Sequence, residues 1–168
     1  MPLRWKARPE SRFEAMKAVL DVGQFVSATI SGHGHLAQIL AAWRGGQFEL
    51  VTSSGILDDL RRVLRYPRLR KRHQWTDEEI ELFVESIALA ATLTPGDLEV
   101  NAVIEDPTDN KVLAAAVEGQ ADYVVASDDH LIRLGSFAQI PIVLPRRFLE
   151  VLQEGPHEAG ETLIPSST

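Results

Sequence analysis

Short apolar runs that alternate with longer amphipathic segments limit the folds open to this chain more than any other feature. The runs lie at 18–22, 48–52, 121–127 and 141–145, are rich in Val and Leu, and are bounded by Gly, Pro, Asp or Ser. They are too short for buried helices, so they predict strands that are covered on both faces.

The segments between the runs have helical spacing. Apolar residues recur at i, i+3, i+4 and i+7 in 35–43 and 56–64, and an Ala-rich stretch covers 110–117. A further helix is predicted to start at Thr76, because Glu79 completes a capping box, and a last one covers 147–153. Strands that alternate with helices indicate an α/β protein with a mainly parallel sheet.

The length of 168 residues predicts one domain, which we place at 17–153, with an N-terminal extension at 1–16 and a flexible C-terminal tail at 154–168. The chain has no Cys, which excludes a disulfide framework, a thiolate zinc site and a Cys nucleophile. No apolar run reaches the roughly 18 residues that indicate a transmembrane helix. We therefore expect no membrane partner and a cytoplasmic location.

Charge is distributed unevenly along the chain, whose formal net charge is −7. Seven of the 17 Lys and Arg residues lie in 61–73, which contains no acid, so the rest of the chain carries 10 basic residues against all 24 acids. Such a basic segment is either a solvated helix surface or a surface that binds nucleic-acid phosphates. Pro67 divides it, so one continuous helix is not expected.

Aspartates follow several of the predicted strands. Asp21 ends the first apolar run, Asp128 follows the third, and Asp59 lies in the helix after the second. Asp106 and Asp109 lie where the Ala-rich helix begins. Ligands of open parallel sheets bind at the carboxyl ends of the strands, and clustered carboxylates suit Mg²⁺ or Mn²⁺ better than zinc.

These aspartates also have structural explanations. Asp109 and Asp128 could cap helices, Asp106 precedes a proline in an ordinary turn, and Asp59 could pair with basic neighbours. Asp21 is the hardest to explain in this way, because it interrupts an apolar run and no cap position is obvious. The convergence of four chain segments therefore carries the prediction of a metal site.

Three stretches together resemble the PIN-domain family, in the branch of VapC-like toxins of toxin–antitoxin systems. VLDVGQFVSA (19–28) resembles the family's opening strand, and FELVTSSGILDDLRRVL (48–64) resembles its second strand and the helix that follows. The most specific stretch is DPTDNKVLAAAVEGQADYVVASDDHL (106–131), which resembles the family's Asp-Pro-Asp-Asp-Asn-Lys helix and the strand that ends in Thr-Gly-Asp. The resemblance covers approximately 17–153.

The resemblance implies a three-layer α/β/α sandwich with a mainly parallel sheet of 4–5 strands. It implies a Mg²⁺- or Mn²⁺-dependent ribonuclease that acts on RNA, is neutralised by a small antitoxin protein and forms a homodimer or a higher oligomer. Residue by residue, the catalytic and metal-binding set is Asp21, Asp59, Asp109 (or Asn110, one position on) and Asp128, with Asp106 as an additional metal ligand. We expect RNA to contact Arg61, Arg62, Arg65, Arg68, Arg70, Lys71 and Arg72.

The chain departs from the family pattern beside the first aspartate. Val22 and Gly23 stand where the family has two polar residues, and Asp59 stands where it usually has Glu. Polar groups around a metal site commonly affect affinity or activity by about 10–100-fold. Two hypotheses therefore remain: an active ribonuclease, and a PIN scaffold that binds RNA or a protein partner with weakened catalysis.

Overall fold

The computed structural model describes residues 15–103 and 105–154. Its strands are β1 (Lys17–Leu20), β2 (Glu49–Ser53), β3 (Thr92–Thr94), β4 (Tyr123–Val125), β5 (Ser136–Phe137) and β6 (Ile140–Val143). Its helices are α1 (Val22–Ile30), α2 (His35–Arg44), α3 (Ser54–Leu64), α4 (Pro67–His73), α5 (Asp77–Ala90), α6 (Pro107–Glu118), α7 (Asp129–Leu134) and α8 (Pro145–Glu154). The predicted extension (1–16) and tail (154–168) lie outside the described residues, apart from residues 15, 16 and 154.

The strands form one sheet in the order β3-β2-β1-β4-β6-β5. Neighbouring strands pair in parallel throughout, except that β5 is antiparallel to β6. The prediction of a mainly parallel sheet is confirmed, but the described residues form six strands where 4–5 were expected. The additional strands β3 and β5 contain three and two residues, too few for a hydrophobic period to appear in the sequence.

Two hydrophobic cores lie on opposite faces of the sheet. Ala18 and Leu20 of β1 belong to a core shared with α1, α2, α3, α5 and α8. Val19, between them in sequence, belongs to a second core built mainly with α6 and the start of α7. Because successive side chains of a strand point to opposite faces, both faces of β1 are apolar and both are covered. The three-layer α/β/α architecture is confirmed.

The helix starts follow local sequence signals. The capping box at Thr76 and Glu79 is present, and α3 and α4 are separate helices with Pro67 in the first turn of the second. Some strand ends were predicted wrongly. The first apolar run was expected to be a strand through Val22, but Val22 begins α1. The run at 141–145 was expected to be a strand through Pro145, but β6 ends at Val143 and Pro145 begins α8. None of the described helices combines the length and the apolar character needed to cross a membrane.

Candidate metal centre

The carboxyl ends of β1 and β4 meet at the middle of the sheet. The chain passes from β1 outward to β2 and β3, then crosses back to β4 on the other side, so the direction of winding reverses between β1 and β4. The backbone N–H of Asp21, just after β1, donates to the Val125 carbonyl at the end of β4, with an N–O distance of 3.1 Å. Crevices at such points are the usual ligand sites of open α/β sheets.

Asp21 is fixed at this point as the N-cap of α1. Its carboxylate accepts a hydrogen bond from the Gln24 backbone N–H at 2.9 Å, and the residue is only 5% exposed. The expectation that no cap position follows Asp21 is therefore wrong. Burial, followed by repulsion from Asp128, raises the pKa of Asp21 to about 6, against the opposing effect of the Gln24 hydrogen bond.

Asp109 lies one turn into α6 and is also buried, at 5% exposure. The cap of α6 is Asp106, which accepts from the Thr108 backbone N–H at 3.0 Å, so the alternative role of Asp109 as the cap is wrong. The adjacent Asn110 is turned away, because its side-chain amide bonds the Val103 backbone at 2.8 and 2.6 Å. This geometry favours Asp109 over Asn110 as the member of the acidic cluster.

Negative charge in the cluster has little compensation. Burial, followed by repulsion from Asp128, Asp106 and Asp21, raises the pKa of Asp109 to about 7. One carboxylate oxygen of Asp109, Oδ2, is buried and has no hydrogen-bond partner among the described residues. Buried polar atoms normally have a partner, so an oxygen without one in this position fits a cation ligand or a protonated carboxyl group.

Asp128 and His130 complete the group around Asp109. Ligand atoms of the three residues lie within 4.8 Å of one another, close enough to share one metal ion. Asp128 caps α7 by accepting from the His130 backbone N–H at 2.8 Å. His130 Nδ1 lies 3.5 Å from Asp128 Oδ1, is buried and has no hydrogen-bond partner in the part of the chain that the structure describes. Sequence reasoning missed His130, although its position two residues after Asp128, in the first turn of α7, was the available signal.

Asp59 has different surroundings. Its buried carboxylate receives Lys111 Nζ at 3.0 and 3.1 Å on its two oxygens, and Arg62 Nη2 at 3.2 Å on Oδ1. Neither Asp59 nor Asp21 belongs to the group formed by Asp109, Asp128 and His130, but only Asp59 has cationic partners on both oxygens. Pairing with a basic neighbour, the structural alternative for this residue, is thus observed, and Lys111 joins it from a helix 52 positions away.

Gln24 supplies polar contacts beside Asp21 that Val22 and Gly23 do not. It is 2% exposed, and its side-chain Nε2 donates to Ser127 Oγ at 2.9 Å. A hydrogen bond from the Gln24 side chain to Asp21 works against the rise in the pKa of that carboxyl. The polar partner expected next to the first aspartate therefore comes from one helical turn further along.

The basic segment divides into paired and unpaired residues. Four of its seven cations form ion pairs, in which Arg61 bonds Asp58 and Glu81, Arg62 bonds Asp59, Arg65 bonds Glu81, and Arg70 bonds Asp77. The other three, Arg68, Lys71 and Arg72, are exposed on α4 and form no ion pair with a described residue. Within 61–73, these three are the cations whose charge is not already paired with a carboxylate of a described residue.

The donor set of the cluster suits a small hard cation. The geometric group consists of carboxylate oxygens from Asp109 and Asp128 and one imidazole from His130. The charges of Asp106 and Asp21 also raise the pKa of Asp109. Oxygen-rich sets of this kind prefer Mg²⁺ or Mn²⁺, and an added imidazole favours Mn²⁺ over Mg²⁺. The bare Asp109 oxygen and the crowded negative charge both fit such an ion.

Fold and site together define a class of α/β proteins with an acidic, metal-capable crevice at the carboxyl edge of a parallel sheet. A family model described as PIN domain matches residues 17–130, which is more than half of the chain. The chain belongs to the PIN-domain family. PIN domains are generally nucleases that act on RNA and usually use divalent metals. No curated protein matches the chain.

Proposed function

We propose that this protein is a metal-dependent endoribonuclease in which Asp21, Asp109 and Asp128, with His130, hold Mg²⁺ or Mn²⁺. The observation that carries the proposal is the buried, unpartnered Asp109 Oδ2 within a group of metal-ligand atoms no more than 4.8 Å apart. A bound divalent cation would lower the pKa of an attacking water and stabilise charge that develops on the phosphate. The family membership of the chain supports the same chemistry.

The residues of the cluster would contribute orientation as well as charge. Asp21 and Asp128 are both held by backbone N–H groups at helix N-termini, so their carboxylates are oriented before any ligand arrives. The positive end of each helix dipole offsets part of the cost of holding them ionised. Asp109, with its free oxygen, is the carboxylate available to orient or deprotonate the water. Asp106 as an additional ligand stays a sequence-based prediction.

The most direct test of this function is RNA cleavage with Mn²⁺. We expect the native protein to cut a single-stranded RNA, and Asp21→Asn and Asp128→Asn to reduce the rate by about 100-fold or more, since each removes a charge that holds the cation. Asp97→Asn, at an exposed position of the loop after β3, is the matched control and should leave the rate unchanged. Equal cleavage by the native protein and both cluster variants would mean that the activity comes from elsewhere.

RNA binding is proposed to use the unpaired cations of α4. The triple change Arg68→Gln, Lys71→Gln and Arg72→Gln should weaken RNA binding and reduce the salt slope by about 2, at about 0.7 per phosphate contact for single strands. Binding is measured by fluorescence anisotropy in chelator, so that no cleavage occurs. An unchanged slope would remove α4 from the interface. Arg61, Arg65 and Arg70 stay predicted RNA contacts. We expect each to contribute less to RNA binding than the unpaired cations, because its charge is already partly neutralised by an ion pair.

The toxin role, the small antitoxin partner, the homodimeric or higher assembly and the cytoplasmic location stay proposals that rest on the VapC-like sequence pattern. A second candidate function is a scaffold that binds RNA or a partner and does not cut it. Val22 and Gly23 favour that candidate because they provide no polar side chain beside Asp21. The contacts of Gln24 weigh against it because they provide such a partner from the first turn of α1. Mn²⁺ binding by the native protein without any RNA cleavage would favour the scaffold.

A further inference from the structure

Asp59, Lys111 and Arg62 form an ion cluster that joins α3 to α6. Asp59 is 8% exposed at its side chain, and both of its oxygens contact Lys111 Nζ. Arg62, one helical turn further along α3, adds a third contact on Oδ1. A buried carboxylate normally needs such partners, and here it has two cations for one negative charge. The cluster therefore carries a net charge of about +1.

The contrast with Asp109 separates two kinds of buried carboxylate in this protein. Asp109 keeps one oxygen with no hydrogen-bond partner within residues 15–103 and 105–154 and lies among other acids, as is typical of a cation ligand. Both oxygens of Asp59 already have cationic partners. For Asp59 to bind a metal, Lys111 and Arg62 would have to leave, and their contacts would have to be replaced.

We propose that Asp59 does not ligate the metal, and that it holds Lys111 and Arg62 as a pair of cations that binds a phosphate of the RNA beside the acidic cluster. This role rests on the proposed ribonuclease function. It assigns Lys111 as a further substrate-binding residue and Asp59 as the positioning residue for it.

Lys111 has both the exposure and the location that this role needs. Its side chain is 46% exposed even though it is bonded to Asp59, so an external anion can reach it. It follows Asp109 by two residues on α6, and its stem lies against Gly55 in the first turn of α3. Lys111 and the metal-binding Asp109 therefore both lie in the first two turns of α6.

The two cations would also reduce the electrostatic repulsion between RNA and the acidic cluster. RNA carries its own negative charge toward a site that already contains Asp21, Asp106, Asp109 and Asp128. Cations fixed beside those acids reduce the repulsion of the phosphate, and fixed charges cost no reorganisation when the substrate arrives. Arg62, whose side chain is 55% exposed, also donates to Tyr66 Oη at 2.6 Å, so it is held from two sides.

The first arm of the test measures Mn²⁺ affinity by calorimetry, without RNA. We expect Asp109→Asn to weaken Mn²⁺ binding by about 10-fold or more, as loss of a metal ligand should, and Asp59→Asn to stay within about 3-fold of the native protein. Asp58→Asn, the exposed neighbour on the same helix, is the matched control. A loss in Asp59→Asn as large as in Asp109→Asn would overturn the proposal and return Asp59 to the metal ligands.

The second arm measures binding of a labelled single-stranded RNA by anisotropy in chelator. We expect Lys111→Met to weaken binding by about 3–10-fold and to lower the salt slope by about 0.7, the value for one lost phosphate contact on a single strand. Lys111→Arg should restore affinity, because it keeps a cation on Asp59. Arg146→Met, an exposed arginine of α8, is the charge-matched control. Native affinity and slope in Lys111→Met would overturn the phosphate role.

Failure of the proposed function is recognised separately. If the native protein binds no Mn²⁺ in the first arm, the metal-dependent ribonuclease is contradicted whatever the second arm gives. If the native protein binds Mn²⁺ and the Asp59 and Lys111 variants behave in the opposite way to that expected, only the ion-pair proposal fails. Circular dichroism of each variant establishes that the fold is retained, and Lys111→Arg keeps the second arm decisive if Lys111→Met unfolds.

Discussion

Replacing Asp109 by Asn should stabilise the metal-free protein, and the gain should grow as the pH rises. The pKa of Asp109 is raised from 3.8 to about 7 by burial and by the neighbouring aspartates. Between these pH values the folded chain keeps a proton that the unfolded chain releases, so the free energy of unfolding falls as the pH increases. Asn has nearly the same shape and does not ionise, so it avoids this loss.

The size of the effect follows from the two pKa values. Each pH unit between 3.8 and about 7 costs the folded state about 1.4 kcal/mol, which gives an upper limit of about 4 kcal/mol at pH 8 and about 2 kcal/mol at pH 5. The stabilisation by Asp109→Asn should therefore be larger at pH 8 than at pH 5 by up to about 2 kcal/mol. Structural relaxation of the residues around Asp109 would make the measured difference smaller than this limit.

Urea unfolding followed by circular dichroism at pH 5 and pH 8, in chelator, measures this difference. Asp97→Asn, at an exposed position, serves as the control and should show little dependence on pH. A stabilisation by Asp109→Asn that is equal at both pH values, or a destabilisation that grows with pH, would refute the reasoning. Either result would mean that the Asp109 carboxylate is compensated in the folded chain.

Two further predictions concern the surroundings of the site and the packing of the sheet. Gln24→Leu should lower Mn²⁺ affinity by about 10-fold because it removes a polar partner of the first aspartate, and calorimetry should show no such loss for the exposed Gln38→Leu. Gly119→Ala should destabilise the fold by about 1–3 kcal/mol in urea unfolding, because its Cβ would lie 2.5 Å from a valine methyl of β2. Gly32→Ala, where a Cβ meets nothing within 4 Å, is the control, and equal stability of the two variants would contradict the packing argument.

The sequence predicted those features that depend on neighbouring residues or on burial of both faces of a strand. The apolar run around Val19 predicted a strand because Ala18, Val19 and Leu20 are each buried in one of the two cores. Thr76 and Glu79 gave a helix start because the capping box is a contact between residues three apart. Asp21 and Asp128 could be placed at one edge of the sheet because parallel strands end on the same side.

The remaining features depend on contacts between distant residues, which one sequence does not reveal. Asp59 and Lys111 are 52 positions apart, so the ion pair that separates Asp59 from the other acids left no local pattern. Gln24 was missed because the family pattern concerns the two residues directly after Asp21. The first turn of α1 brings the third residue, Gln24, back to the Asp21 carboxylate. His130 was missed because a lone histidine near a helix start usually has a structural role, although its position two residues after Asp128 was a signal.

Anomalous diffraction from crystals soaked in Mn²⁺ tests the central claim most directly, because it locates the ion without relying on activity. We predict a peak bonded to carboxylate oxygens of Asp109 and Asp128, at about 2.1 Å, the distance expected of a small hard cation. Lys111 should still be bonded to Asp59 in the same crystals. A saturating soak with no peak between Asp109 and Asp128, or with a peak only at other positions, would contradict the metal centre described above.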